Sequence, residues 1–131
     1  MENNFKVEII SPEKIIFSDN STQVTIPSYE GEMSILKNHI SIITFLRPGI
    51  IRVQKNKENF EDFFVQEGIV EFFKDSLVIL SATAIAVKDL SKEFLENLSK
   101  DTSDKLSNQN TNDHERYMLN HQLETIKQIS V

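Results

Sequence analysis

Cysteine is absent from this chain of 131 residues. Its absence excludes a disulfide framework, a thiolate metal site and a cysteine nucleophile together, and it fits a reducing compartment. Glycine is scarce, with three in all. Neither GxxxxGK[ST] nor GxGxxG can be written with them, and there is no GxSxG elbow, so phosphate-loop and serine-hydrolase chemistry lose their usual signatures. No apolar run reaches the roughly 20 residues that span a bilayer. The greasiest neighbourhood, Ile40 to Leu46, is stopped by Arg47-Pro48-Gly49. Cations are in the minority, 14 Lys and Arg against 20 Asp and Glu, for a formal charge of −6. No basic cluster overrules that balance, which argues against a nucleic-acid ligand. The opening Met1-Glu2-Asn3-Asn4-Phe5 has neither the basic and apolar regions of a secretory signal nor the arginines of a transit peptide. Any work at a membrane is therefore expected to go through a partner.

What is present divides sharply. Hydrophobic residues make up 39% and charged residues 26%, the composition of a soluble globular protein. The length suits one domain, or a small domain with an appendage. Residues 1–87 hold all three glycines, all three prolines and eight of the nine phenylalanines. Residues 88–131 hold no glycine or proline and are dominated by Lys, Glu, Asp, Asn, Ser and Leu. The shift predicts a β domain over 1–87 and a helical one over 88–131.

The first region reads as short strands cut by turn signals. Phe5, Val7 and Ile9 alternate with Lys6 and Glu8, a period of two. Ser11 to Lys14 turns the chain, Ile15 to Phe17 resumes it, and the polar Ser18 to Ser21 follows. Val24 and Ile26 lead to Pro27, which is expected to end their strand because proline cannot donate to a central ladder. Tyr29 to Glu32 reads as a turn, with strands at Met33 to Leu36, Ile40 to Leu46, Ile50 to Gln54, Phe60 to Gln66, Ile69 to Phe73 and Leu77 to Leu80. Strands at this spacing predict a sandwich or barrel. Adjacent pairs such as Phe63-Phe64 must point to opposite faces, so one of each pair faces a second layer or a partner.

In the second region Leu90, Phe94, Leu95 and Leu98 form one apolar stripe, with Asp89 as a candidate N-cap. Ser107 to Asn112 breaks the pattern. Asn112 with Glu115 resembles a capping box, and Leu119, Leu123 and Ile126 form a second stripe. Isolated helices of this length are marginal in water, so they must pack on each other or on a partner.

No constellation here demands catalysis. His114 and His121 lie seven residues apart, too far to share an ion, and His39 falls in a loop. Glu30-Gly31-Glu32 puts two carboxylates on one tight turn, which suits a solvated turn or an interaction surface better than a glycosidase pair. Phenylalanines such as Phe60, Phe63, Phe64, Phe72 and Phe73 fit a core better than a base-stacking platform on an acidic chain. The residues alone leave three readings open: a subunit acting by protein contact, a free-standing β-sandwich module for a carbohydrate or peptide, and a hydrolase using Glu30, Glu32 and His39.

Segment order adds to this. Val7-Glu8-Ile9-Ile10-Ser11-Pro12-Glu13-Lys14-Ile15-Ile16-Phe17-Ser18 resembles the opening of the bacterial ATP synthase epsilon subunit. Ile26 to His39, Leu46-Arg47-Pro48-Gly49-Ile50-Ile51, Phe64 to Glu71 and Val78 to Ile85 resemble that family's later blocks, in its order and spacing over roughly residues 5 to 87. The resemblance implies a ten-stranded β-sandwich followed by a C-terminal helical hairpin. It implies a rotor subunit without chemistry of its own, needing no cofactor or metal. Such a subunit links the gamma subunit to the polar loops of the c-ring, couples proton flow to ATP synthesis, and lies peripherally on the cytoplasmic face of a bacterial inner membrane. Glu30, Gly31, Glu32 and Met33 fall where the family meets the c-ring, and His39 falls near gamma. The family's tail reaches the alpha and beta subunits in some members and inhibits ATP hydrolysis there. This tail carries six cations against eight carboxylates, a net −2. That charge suits an acidic target poorly, so weak or absent inhibition is expected. The stretch Leu90 to Leu95 lacks the Asp and Arg of the family's ATP-binding motif, so no ATP binding is expected. Ser28, Ser34 and Glu67 stand where the family commonly has glycine, and each would be strained if its φ were positive.

Overall fold

The computed structural model describes residues 3–130. Ten strands come first: β1 (Phe5–Ile10), β2 (Ile15–Ser21), β3 (Gln23–Ser28), β4 (Gly31–Leu36), β5 (Ile42–Leu46), β6 (Gly49–Gln54), β7 (Phe60–Val65), β8 (Gly68–Phe73), β9 (Ser76–Leu80) and β10 (Ile85–Ala86). A 3-10 turn over Val87–Asp89 leads to α1 (Lys92–Leu106) and α2 (Asp113–Ser130). The strands hydrogen-bond in the order β10-β7-β6-β3-β5-β8-β9-β1-β2, with β4 beside β3. All pairings are antiparallel except β1 with β9. The β3–β5 link is the single pair Ser28↔Leu46. At this hinge the sheet folds over into two layers.

Period-two alternation builds the core between the layers. Phe5, Val7 and Ile9 of β1 face inward, as do Ile51 and Val53 of β6, Val70 and Phe72 of β8, and Leu77 and Ile79 of β9. Strand β7 departs from the alternation, because Phe63, Phe64 and Val65 are all buried. Phe63 enters the sandwich core, while Phe64 points outward into a second cluster with Leu95 and Ile126 of the helices. The adjacent phenylalanines thus join two cores, and the hairpin covers the outer face of β6 and β7.

Several boundaries differ from the sequence reading. The polar Ser18 to Ser21 continues β2, since β1 pairs along it as far as Phe5↔Ser21. Pro27 lies inside β3. Its carbonyl accepts from the Arg47 amide at 2.9 Å, where β6 pairing has ended at Thr25 and β5 pairing begins at Ser28, so the missing N–H falls in a gap of the ladder. Gly31 and Glu32 belong to β4, which shortens the predicted turn to Tyr29 and Glu30. Helix α1 is capped by Ser91, whose side chain accepts from the Phe94 amide at 3.0 Å, because Asp89 is spent in the 3-10 turn. The box at α2 forms as expected: Asn112 Oδ1 accepts from the Glu115 amide at 2.8 Å, and the Asn112 amide donates to Glu115 Oε1 at 3.4 Å. Ser28, Ser34 and Glu67 all avoid positive φ, which occurs among non-glycine described residues at Asn38, Lys74 and Asp75. The serines and glutamate at family glycine positions therefore carry no such strain.

Candidate functional site

Three surfaces merit attention, and the β3–β4 tip is the first. Ser28 pairs with Gly31, leaving Tyr29 and Glu30 as a two-residue loop. The Tyr29 amide donates to the Phe45 carbonyl at 2.8 Å, and the Glu30 amide to Ser28 Oγ at 3.3 Å. Gly31 takes a φ of 146°, a conformation that side-chain-bearing residues rarely adopt. Glu30 and Glu32 are exposed, whereas Met33 is half-buried and packs against the sandwich core. The two carboxylates part company at the tip. Glu30 lines a groove with Phe45, Ile69, Leu80 and Met118, and Glu32 lines another with Arg52, Asp62 and Gln128. Arg52 forms a two-pronged pair with Asp62 at 2.8 and 2.9 Å, which raises the guanidinium pKa, and Glu32 adds a smaller push in the same direction.

His39 sits beyond the other end of β4. Its ring meets Phe72 edge-on at 5.8 Å, and Nδ1 lies 2.6 Å from the Ile40 carbonyl. Gly31 and Leu36, the two ends of β4, are about 17 Å apart at the rise of an extended strand. The tip carboxylates and His39 therefore cannot share one reaction centre, which removes the hydrolase reading. Among the described residues no group of three or more His, Asp or Glu side chains could hold a metal ion. The stretch Leu90 to Leu95 is given to packing: Leu90, Phe94 and Leu95 all enter the cluster under the hairpin.

The second surface was not singled out from the sequence. On the outer face of β5-β8-β9-β1-β2, the register aligns Phe45, Ile69, Leu80, Ile10 and Ile15 in one continuous cross-strand row. Phe45 is 62% exposed, Ile69 42%, Leu80 49% and Ile15 59%. The neighbouring row, Ile43, Glu71, Val78, Glu8 and Ser18, adds Ile43 at 70% exposure and two carboxylates. Isolated apolar residues on a surface need no explanation, but a row spanning five strands does. The signal in the sequence is the failure of polar alternation in Ile42 to Leu46 and Leu77 to Leu80. A strand that is apolar on both faces needs a cover on both.

The third surface joins α2 to the tip. Tyr117 donates its hydroxyl to the Tyr29 carbonyl and accepts from Arg47 Nη1 at 2.8 Å. The two tyrosine rings lie 4.7 Å apart between centroids. Tyr29 Oη is 3.0 Å from His114 Nδ1, and the His121 ring packs edge-on to Tyr117 at 4.6 Å. Burial holds the His121 imidazole below its ordinary pKa, the Arg47 charge reinforces the effect, and Glu124 opposes it. His114 and His121, too far apart in the sequence to share an ion, serve as packing partners of the two tyrosines.

A ten-stranded sandwich with a helical hairpin, with acidic and apolar surfaces and, among the described residues, no convergent catalytic group, is the architecture of a subunit that acts by contact. Residues 4–87 match the family model "ATP synthase, Delta/Epsilon chain, beta-sandwich domain". Over 131 residues the chain is 36% identical to the ATP synthase epsilon chain of Pelagibacter ubique, covering 99% of this chain and 100% of that one. It is 34% identical over 97 residues to the epsilon chain of Sinorhizobium medicae, covering 74% and 72% of the two. The fold recurs in a chain of the Euglena gracilis mitochondrial ATP synthase, with a TM-score of 0.74 at 19% identity over 97% of this chain and 79% of that one. It recurs in a central stalk and c-ring structure of the Tetrahymena thermophila enzyme, with a TM-score of 0.63 at 15% identity over 96% of each chain. The chain belongs to the ATP synthase epsilon chain family, whose members are non-catalytic subunits of that enzyme. No described helix is long and apolar enough to cross a membrane.

Proposed function

We propose that the chain is a central-stalk subunit that binds the gamma subunit through the bare apolar row and meets the polar loops of the c-ring through Glu30, Gly31, Glu32 and Met33. The observation that carries this reading is the asymmetry of the sandwich: the hairpin covers the outer face of β6 and β7, and the row Phe45-Ile69-Leu80-Ile10-Ile15 is left open. A folded chain leaves such a row open when a partner covers it. His39 lies just ahead of β5, in the layer that carries the row, consistent with a place at the edge of a gamma contact. The acidic tip borders the Phe45 end of the row through Glu30, while Glu32 lines another groove, so one subunit has adjoining surface for two partners. In this role the chain turns with the rotor, couples proton flow to ATP synthesis, and is held by its partners at the cytoplasmic face of a bacterial inner membrane. Residues 1–87 form the binding unit, and residues 88–131 form a hairpin that binds no ATP, inhibits hydrolysis weakly or not at all, and contacts alpha and beta subunits only when released.

Size exclusion with light scattering tests the reading. Purified chain and its cognate gamma subunit are expected to form a one-to-one complex at micromolar concentration. The double variant Phe45→Glu, Leu80→Lys is expected to lose that complex at an unchanged thermal midpoint, since both side chains already face solvent. A complex that survives the double variant would remove the apolar row from the interface. No complex with the unaltered chain would favour a free-standing binding module.

A further inference from the structure

We propose that docking of α2 sets the shape of the β3–β4 tip, through the hydrogen bond from the Tyr117 hydroxyl to the Tyr29 carbonyl, so that the hairpin and the acidic tip are energetically coupled. The geometry of the turn is the first reason. Two-residue hairpin loops favour types in which one or both central residues have positive φ, because these match the twist of the strands. Neither Tyr29 nor Glu30 has positive φ, and the adjustment falls on Gly31 at 146° instead. A turn of this kind is a poor match to its strands and is easily reshaped unless something outside it holds it. The second reason is that something does. The Tyr29 amide is held by Phe45 from β5, and the Tyr29 carbonyl by Tyr117 from α2. The Tyr117 hydroxyl is itself fixed by Arg47, from the β5–β6 connection, so it has little freedom to serve elsewhere. Tyr29 is therefore clamped between the sandwich and the hairpin, one residue before Glu30 and three before Glu32.

Coupling of this kind is reciprocal. A partner that engages Glu30 and Glu32 in the shape seen here favours the docked hairpin, and a hairpin that leaves the sandwich frees the tip to change shape. Tyr117 is thus a positioning residue for a surface it does not itself form. The functional weight of the coupling rests on the tip being the ring-facing surface, but its physical test needs neither ring nor gamma subunit.

The test is amide hydrogen exchange, resolved by residue, on the full chain and on Tyr117→Phe, which keeps the ring and removes one hydroxyl. The loss of one hydrogen bond is expected to speed exchange at Glu30 to Met33 about fivefold. The amides of Val7 and Ile79, deep in β1 and β9, should not change. In a chain carrying Tyr29→Asn and Glu30→Gly, which builds a turn matched to the strand twist, Tyr117→Phe should leave the tip amides unaffected. Unchanged exchange at the tip in the single variant, with loosening confined to α2, overturns the coupling. Equal acceleration at the tip and in β1 and β9 also overturns it, because the hydroxyl would then contribute only to global stability. The chain has no tryptophan and two tyrosines, Tyr29 and Tyr117, so the near-ultraviolet tyrosine signal reports on this cluster alone and should change in the single variant. A signal identical to that of the unaltered chain counts against the clamp.

Discussion

Lys74 and Asp75 turn the chain between β8 and β9 with φ of 48° and 57°. Positive φ at both central residues suits a tight hairpin of type I′, yet lysine is a poor occupant of that region because its Cβ crowds the backbone. Asp75 earns its place differently: its Oδ1 accepts the Asn38 amide at 2.8 Å and ties this turn to the loop after β4. Lys74 has no such role, and its ammonium lies 5.2 Å from the exposed Phe73 ring. Lys74→Asn is expected to stabilise the fold by about 0.5–1 kcal/mol, because asparagine tolerates the left-handed region. Thermal unfolding followed by circular dichroism should show a midpoint roughly 2–4 °C higher, and a lower midpoint would mean that Lys74 is held by a contact worth more than its strain. The existence of this turn was legible in the gap between the strands read at Ile69 to Phe73 and Leu77 to Leu80, but its hand was not. Handedness is written clearly only by Asn-Gly or Asp-Gly pairs, and here tertiary packing imposes it on an ordinary residue. The same holds at Tyr29 to Glu32, which read as one turn without showing that Gly31 would carry the positive φ and join β4.

The hairpin is held together by a polar contact as well as by its apolar stripe. Thr102 is fully buried; its hydroxyl donates to the Leu98 carbonyl at 2.6 Å and accepts from Gln122 Nε2 at 2.9 Å. This bond joins the C-terminal half of α1 to the middle of α2, so it helps fix their register. Thr102→Val should cost about 1–3 kcal/mol of hairpin stability, since it leaves a buried amide on Gln122 without its partner. Adding Gln122→Leu should recover most of that loss, because two apolar groups facing each other carry no unmet hydrogen bond. Hydrogen exchange in α1 and α2 measures both steps, and a double variant as unstable as the single one would show that the cost is steric. At this scale both helices and the break at Ser107 to Asn112 were legible from the leucine stripes and the capping box. The Thr102–Gln122 bond was not, because a threonine and a glutamine in polar-looking helices give no sign of facing each other. The cap of α1 was misplaced at Asp89 for a related reason: one capping residue competes with another nearby, and the 3-10 turn decides between them.

At the scale of the whole molecule, the two hydrophobic cores depend on each other unequally. Every member of the sandwich core, from Phe5 to Ala84, comes from the strands or their connections, and none comes from the helices. The hairpin is the reverse case. Leu95 and Ile126 are buried in a cluster that includes Phe64 of the sandwich, with Ile50 and Val87 beside it. The composition shift near residue 87 made the two parts legible in the sequence, and the pair Phe63-Phe64 required one residue to face a second layer or a partner without saying that the hairpin is what Phe64 meets. The bare face on the other layer was less legible, because a run such as Ile42 to Leu46 does not say whether its second apolar face is covered from within or by another chain. A chain ending at Val87 is therefore expected to keep a folded sandwich, with β-type circular dichroism and a cooperative melt, while residues 88–131 alone are mostly unfolded in water. The shortened chain exposes Phe64 and Ile50, so Phe64→Thr with Ile50→Thr is the version to use if association obscures the melt. Substituted for the full chain in an assembled synthase, the shortened chain should still bind gamma, because the row is carried by β5-β8-β9-β1-β2 and the hairpin meets it at the Phe45 end through His114 and Met118. With a tail of net charge −2, its removal is expected to change ATP hydrolysis less than about twofold, since little attraction to an acidic target is lost. A large rise in hydrolysis would mean that the tail inhibits through its apolar stripe instead, and a truncated chain that fails to melt cooperatively would mean that the hairpin is part of the sandwich's own stability.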